Sequence, residues 1–240
     1  MTQPGATENP APASPGRWTL YLGLGAVLLA LVGYWTPWLT HPAAALRLSG
    51  FDLAEWITHL PGVMDGSLPL SRLSFLTPLA CLALLLALAG ARLHRAGGAA
   101  RRGWQRYVPR SPAALGLLVL AVICAFRVMP PYEAFRDSAY WPDYQTQFAV
   151  ACATLLGLAA CQFAPNWLEA GLQVVFALLG AGCGAWALLT LKPAADEVLN
   201  APWAIGPGWF AVWLGLGVAA AAAAIELVFA LRGRTPSALP

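Results

Sequence analysis

The sequence is poor in charged residues. Asp, Glu, Lys and Arg make up 10% of its 240 residues, whereas soluble domains carry roughly 25%. Hydrophobic residues make up 59%, and they form repeated runs near the length of about 20 residues that crosses a bilayer. The basic residues flank these runs and form no soluble domain, so the composition also argues against nucleic-acid binding. These features exclude an ordinary soluble domain.

Several catalytic and cofactor-binding patterns are missing. The chain has no HExxH, no GxSxG, no phosphate-binding glycine loop and no pair of intramembrane aspartates. No His falls within a predicted span, so a bis-histidine haem would have no ligands. The cysteines form no CxxC and fall inside apolar runs, as buried free thiols do: they are Cys81, Cys124, Cys152, Cys161 and Cys183. We therefore predict a chain that is not an enzyme and binds no cofactor.

One basic segment, Arg92–Arg110, assigns a side of the membrane to every other loop. It holds six of the fourteen Lys and Arg residues and no acid. Short loops rich in Lys and Arg stay in the cytoplasm. The segment therefore predicts a cytoplasmic loop between two spans.

The apolar runs predict an all-α integral membrane protein of six transmembrane helices, arranged as three outward-facing hairpins. The predicted spans cover about 18–39, 73–91, 112–129, 148–163, 167–191 and 209–231. Residues 1–16 read as a disordered cytoplasmic tail and 233–240 as a second cytoplasmic tail. A cleavable signal peptide is the alternative for the first run, which is longer than such peptides require. The predicted location is the bacterial cytoplasmic membrane, with the lipid bilayer as a partner.

The loops on the predicted outer side are acidic and aromatic. They lie at about 40–72, 130–147 and 192–208 and hold eight of the eleven acids but only four basic residues. Trp and Tyr cluster at both predicted boundaries, as in the aromatic belts of membrane proteins. The outer set is the richer one, which favours an outer face that docks a partner.

The first outer loop contains a predicted amphipathic helix, Phe51–Leu60. Ser49 and Asp52 have capping-box spacing at its start. One face is apolar, which is typical of a helix lying on the membrane or on the ends of the spans. We predict that this apolar stripe binds a partner, with Trp38 flanking it; its members are Leu53, Trp56, Ile57 and Leu60.

The same loop carries a family resemblance. Pro37-Trp38 with His41–Leu46 gives P-W-x-x-H-P-A-A-A-L, and Asp52–Trp56 gives D-L-A-E-W. This combination resembles a family of bacterial multi-pass membrane proteins. The resemblance implies a membrane protein and implies no particular activity.

The polar face of the same predicted helix suggests a second use. Asp52, Glu55 and His59 recur on one helical face, and His41 is close in sequence. Carboxylate and imidazole ligands suit a divalent cation. The alternative is a solvated face on which Glu55 and His59 interact at i,i+4.

Glu226 is the one ionisable residue well inside a predicted span. A carboxylate at that depth costs on the order of 2–3 kcal/mol on insertion scales, so it is a functional candidate by default. The alternative is an acid near the inner boundary that is protonated or pairs with a cytoplasmic Arg, and Arg232 follows six residues later. Glu169 has capping-box spacing with Asn166 and reads as a helix cap.

Small residues recur on spans five and six. Gly180 and Gly184 have GxxxG spacing, and Gly215 and Gly217 lie near Ala219. Such residues let helix backbones approach closely. They predict packing between spans five and six, or alternatively a homo-oligomer contact.

Together these features favour a non-catalytic integral subunit or scaffold that contacts other membrane-protein subunits through its outer face. The alternative is a transporter, or the membrane half of an ATP-driven exporter that works with a separate ATPase. Transport sites usually show polar or broken helices near the midplane. Few mid-span polar residues are present here, namely Thr154, Gln162, Gln173 and Thr190.

Overall fold

A computed structural model describes residues 17–41, 45–96, 111–137, 139, 141–198 and 201–232. Three predictions fall outside this part of the chain: the tail 1–16, the tail 233–240 and most of the basic segment, 97–110. The side chain of Asn166, to which we assigned a capping role, also lies outside it.

The described chain is mostly helical. Its helices are α1 (Arg17–Trp35), α2 (Gly50–Trp56), α3 (Pro61–Met64), α4 (Arg72–Ala96), α5 (Pro112–Val128), α6 (Tyr132–Arg136), α7 (Trp141–Cys161), α8 (Asn166–Val198) and α9 (Pro207–Arg232), with a 3-10 turn at Ile57–His59. The described residues also form three short strands: β1 (Pro37–His41), β2 (Leu46–Ser49) and β3 (Ala204–Ile205).

The six longer helices run in alternating directions around α4. α4 packs against α1, α5, α7 and α8, while α9 packs against α1 and α8. Most side chains of α4 are buried, as expected for a helix that is apolar all round. We call the end of the bundle where α4 finishes the basic end, and the opposite end the sheet end.

Five of these helices are long and apolar enough to cross a membrane, judged by length and composition: α1, α4, α7, α8 and α9. The sixth, α5, is apolar but has 17 residues. It begins as the sequence predicts, with Pro112 in the first turn and the Ser111 hydroxyl accepting a hydrogen bond from the Ala114 N–H at 3.3 Å. The coarse prediction of a helical, membrane-embedded protein is therefore supported.

Several predicted helix ends are wrong, because the helices extend beyond the apolar runs. α8 continues past Leu191 to Val198, and α4 continues past Ala91 to Ala96. The extension of α4 brings His94 into a helix that can span the membrane. The prediction that no His falls within a span was thus wrong.

The first predicted span also ends earlier than expected. α1 stops at Trp35, and Pro37–His41 forms β1, the central strand of an antiparallel sheet with the order β2-β1-β3. The fold is therefore not purely α-helical. Pairing of Leu39 with Ile205 joins segments far apart in sequence, which local periodicity cannot reveal.

The predicted outer helix is present in a shorter form. The capping box is confirmed, since the Ser49 N–H donates to Asp52 Oδ2 at 2.9 Å and the Asp52 N–H donates to the Ser49 hydroxyl at 3.3 Å. The α-helix ends at Trp56 and continues as the 3-10 turn. α2 packs against α4 and α1, so it covers the sheet end of the bundle.

Candidate functional site

Four ionisable residues meet at the basic end of the bundle. Arg92 and Arg95 lie near the end of α4, Glu169 in the first turn of α8, and Glu226 near the end of α9. The two arginines are three residues apart and therefore share one helix face. We call these four residues the charge cluster.

Glu169 is at the centre of the charge cluster and is almost fully buried, with 1% of its side chain exposed. Its Oε2 accepts a hydrogen bond from Arg95 Nη2 at 2.5 Å, and its Oε1 lies 3.8 Å from Arg92 Nε. Arg95 also donates through Nη1 to the Ala164 carbonyl oxygen at 2.6 Å. Glu169 thus joins α8 to Arg92 and Arg95 of α4.

Glu226 pairs with Arg92 of α4. The sequence offered Arg232 as a nearby partner, but the ion pair is formed with a residue far away in the chain. Arg92 also donates through Nη1 to Gln173 Oε1 at 3.0 Å. Glu226 is therefore an acid paired with a basic-end arginine, and the pair joins α9 to α4.

The charge cluster is balanced, with two guanidinium groups and two carboxylates. Removing charges from water is costly, and buried ions in membranes pair with one another for this reason. A small cavity of about 20 Å³ adjoins Arg92 and Gln173 and is also lined by Thr19. That volume is enough for one water molecule.

Sequence reasoning missed the role of Glu169. Its position at the start of a helix suggested a cap, and that explanation needed no tertiary partner. The available signal was that acids and arginines lie within one or two turns of the same predicted boundary. Intramembrane charges usually have partners, so Arg92 and Arg95 were candidates.

The four predicted metal ligands are not brought together. Asp52 accepts hydrogen bonds in the capping box, Glu55 Oε2 lies 3.4 Å from Arg72 Nε, and His59 is exposed. His41 is buried in β1, with its ring centroid 5.0 Å from that of Trp203. Among the described residues, no group of three or more His, Cys, Asp or Glu side chains is placed to hold a metal ion.

The predicted docking stripe is mostly internal. Trp38, Leu53 and Ile57 are fully buried in the core of the chain. Trp56 is half-buried, and its ring lies 5.6 Å from that of Trp203. The stripe therefore cannot form an exposed docking face, because α2 uses it to pack onto the chain's own helices.

Trp203 completes this packing at the sheet end. Its backbone N–H donates to Asp196 Oδ1 at 2.7 Å, and its indole Nε1 donates to the Ala195 carbonyl oxygen at 2.9 Å. Lys192 forms an ion pair with the same aspartate, with its Nζ 2.7 Å from Asp196 Oδ2. The extended end of α8 thus fixes an aromatic side chain that contacts both His41 and Trp56.

The two α8 glycines with GxxxG spacing, Gly180 and Gly184, are both at close contacts. A Cβ atom added to Gly180 would lie 3.1 Å from the Cβ of Cys81 on α4 and 3.3 Å from a methyl carbon of Leu216 on α9. One added to Gly184 would lie 3.3 Å from the Trp38 ring. Gly180 therefore contributes to packing between α8 and α9, and also to packing against α4.

The two α9 glycines predicted to pack against another helix, Gly215 and Gly217, differ. A Cβ atom added to Gly215 would lie 2.8 Å from the Cβ of Ala30, whereas one added to Gly217 would meet nothing within 4 Å. Gly33 of α1 is similarly close to α9, at 2.7 Å from the Cβ of Ala211. Gly215 therefore packs α9 against α1, the first long helix, and the predicted contact with α8 at this position was wrong.

Comparison of the chain with protein-family models, with curated proteins and with solved structures found no match.

Proposed function

We propose that this chain is a non-catalytic integral subunit or scaffold of a larger membrane complex. It crosses the bacterial cytoplasmic membrane six times and keeps both termini in the cytoplasm. The 17 residues of α5 give about 25 Å at 1.5 Å per residue, and 17 residues is the lower limit for a spanning helix. Its packing between α4 and α7 supports its inclusion as a sixth span.

The observation that carries this proposal is the closed charge cluster. Its two arginines and two glutamates neutralise one another across α4, α8 and α9. The helices that hold them are continuous within their bounds, whereas transport sites are typically built at interrupted helices. Such an arrangement favours a rigid body that holds other subunits in place.

The docking face that we propose lies at the sheet end, beside the buried stripe. Tyr132 is 70% exposed and Phe135 47% exposed, both on α6, and Met64 is 76% exposed. Glu133 and Asp137 are exposed beside them. Exposed aromatic side chains rimmed by charges are common at the centre of protein interfaces.

A matched pair of tyrosine variants tests this docking face. Tyr132→Ala should reduce recovery of the partner subunit in a mild-detergent purification by at least tenfold, because interface aromatics often contribute ≥ 2 kcal/mol. Tyr21→Ala is the control, since Tyr21 is 56% exposed on α1 towards the basic end. Recovery of no stoichiometric partner by the unmodified chain would contradict the subunit proposal itself.

A transporter is the second candidate, and the water-sized cavity beside Arg92 and Gln173 favours it. A polar cluster with adjoining water is a common element of ion and proton pathways. In proteoliposomes with a trapped pH-sensitive dye, a proton flux that Glu226→Gln abolishes without loss of assembly would support this alternative. An ATP-driven form would also require a separate ATPase, which the basic segment 92–110 would contact.

A further inference from the structure

An apolar groove opens on the side of the bundle between α7 and α8. These helices are joined by the short turn 162–165, yet α7 packs mainly against α4, and α8 packs against α4 and α9. The groove between them has a volume of about 700 Å³. Its floor is formed by α4, with Cys81 and Leu84, and its walls by small and apolar residues of α7 and α8, among them Gly157, Leu172 and Phe176.

The length of the groove matches one leaflet of a bilayer. It is lined from Val150 to Cys161 on α7 and from Leu168 to Leu179 on α8. Each stretch rises about 16 Å at 1.5 Å per residue, which is close to half of the ~30 Å hydrocarbon core. A partner's transmembrane helix needs the full thickness, so the groove suits the acyl chain of a lipid better than a spanning helix.

A polar pocket adjoins the groove at the basic end. It has a volume of about 240 Å³ and is lined by His94, Arg95 and Gln162. Phe163, Ala164 and Pro165 line both the groove and the pocket, so the two spaces share a wall. Polar groups therefore lie where the headgroup of a lipid in the groove would be.

The charges at this end favour an anionic headgroup. The charge cluster is neutral, but Arg232 also lies at the end of α9. The basic segment that follows α4 adds four arginines by sequence and no acid: Arg101, Arg102, Arg106 and Arg110. Segments of this kind attract anionic lipids by about 1 kcal/mol per basic residue near the surface. The N-terminus of α8 also faces this end and carries the positive end of the helix dipole.

We propose that the groove and the polar pocket together bind one anionic glycerophospholipid. An acyl chain occupies the groove between α7 and α8, and the phosphate lies in the pocket of His94, Arg95 and Gln162. This site is independent of the proposed docking role, because it lies towards the basic end of the bundle and the proposed docking face lies at the sheet end.

Native mass spectrometry of the full-length protein in detergent tests the site, with dioleoyl phosphatidylglycerol and dioleoyl phosphatidylcholine as probes. The two lipids have the same chains and differ in headgroup charge. The unmodified protein should bind the anionic lipid at least fivefold more tightly. Equal binding of the two lipids would overturn the proposal.

Two variants, each with a matched control, separate the groove from the pocket. Ala153→Trp fills the groove at an exposed position and should reduce binding of both lipids at least fivefold, whereas Ala159→Trp, exposed on α7 outside the groove, should not. His94→Glu places a negative charge in the pocket and should abolish the preference for the anionic lipid, whereas His59→Glu near the sheet end should preserve it.

Unchanged binding by Ala153→Trp or an unchanged preference in His94→Glu would overturn the proposal. Occupation of the groove by a protein would do so as well. A photo-crosslinking residue in place of Ala160, which lines the groove, should capture phospholipid in membranes. Capture of a partner polypeptide at this position would show instead that the groove holds a helix.

Discussion

At the scale of single residues, the charge cluster gives its two glutamates unequal importance. Glu169 is the closest acidic partner of Arg95 and also approaches Arg92. Glu226 forms an ion pair with Arg92, and Arg92 keeps Gln173 and Glu169 when Glu226 is neutralised. Loss of the Glu169 carboxylate therefore removes an acidic partner from both Arg95 and Arg92. Loss of the Glu226 carboxylate affects Arg92, which still lies near Glu169 and Gln173.

Glu169→Gln should lower the free energy of unfolding by about 3–5 kcal/mol, the usual cost of removing one partner of a buried ion pair. Glu226→Gln is the matched substitution and should cost clearly less. Thermal unfolding of both variants in the same detergent provides the measurement. Equal losses would show that Arg92 depends on Glu226 as strongly as Arg95 depends on Glu169.

The charge cluster also shows how far residue-level reading of the sequence can reach. The depth of Glu226 and its need for a partner follow from its position in an apolar run. The identity of that partner does not follow from the sequence, because Arg92 lies on another helix, 134 residues before Glu226 in the chain. Local spacing favours Arg232 and a capping role for Glu169, but the packing of both α4 and α9 against α8 brings Arg92 to the two glutamates.

At the scale of secondary-structure elements, the contact between α1 and α9 requires glycine at position 215 but not at position 217. Gly215→Ala should lower stability by about 1–3 kcal/mol, as overpacking usually does, because the new methyl group would overlap Ala30. Gly217→Ala should be neutral or stabilise by up to about 1 kcal/mol, since Ala favours helix. Detergent unfolding curves of the two variants test this difference, and equal destabilisation would contradict it.

The helix α2 stabilises the fold, because its apolar side packs against α4 and α1. Leu53→Ala should cost about 2–5 kcal/mol, the range for large-to-small changes in a core, because Leu53 is fully buried. Glu55→Ala, on the exposed face, removes only the ion pair with Arg72 and should cost at most about 1 kcal/mol. A small effect of Leu53→Ala on unfolding, with loss of partner recovery, would restore the docking role of the stripe.

The structure between α1 and α2 could be predicted from the sequence only in part. The capping box of Ser49 and Asp52 is a local motif, and the structure confirms it. The sequence predicts that the first span runs to about Leu39 and does not reveal the strand Pro37–His41, because Ile205, which pairs with Leu39, comes from a distant part of the chain. The same distance in sequence hides the packing of Trp203 on His41 and Trp56.

At the scale of the whole molecule, the two ends of the bundle differ in chemistry. The basic end contains the charge cluster and leads into the basic segment 97–110, whereas the sheet end contains exposed acids such as Asp65 and Asp137. Under the positive-inside rule, this difference alone predicts which end faces the cytoplasm. With the six crossings that we propose, the start of α1 and the end of α9 would both lie on that side.

Labelling of single cysteines tests this topology. In a background without the five natural cysteines, a membrane-impermeant thiol reagent applied to intact cells should label Asp65→Cys and Asp137→Cys. It should not label Gly98→Cys until the membrane is opened, because residue 98 belongs to the predicted cytoplasmic segment. Labelling of Asp65→Cys but not Asp137→Cys would mean that α4 and α5 do not both cross the membrane, which would remove the 17-residue helix α5 from the spans. Labelling of Gly98→Cys in intact cells would reverse the orientation of the whole bundle, and the proposed lipid site would then lie in the outer leaflet.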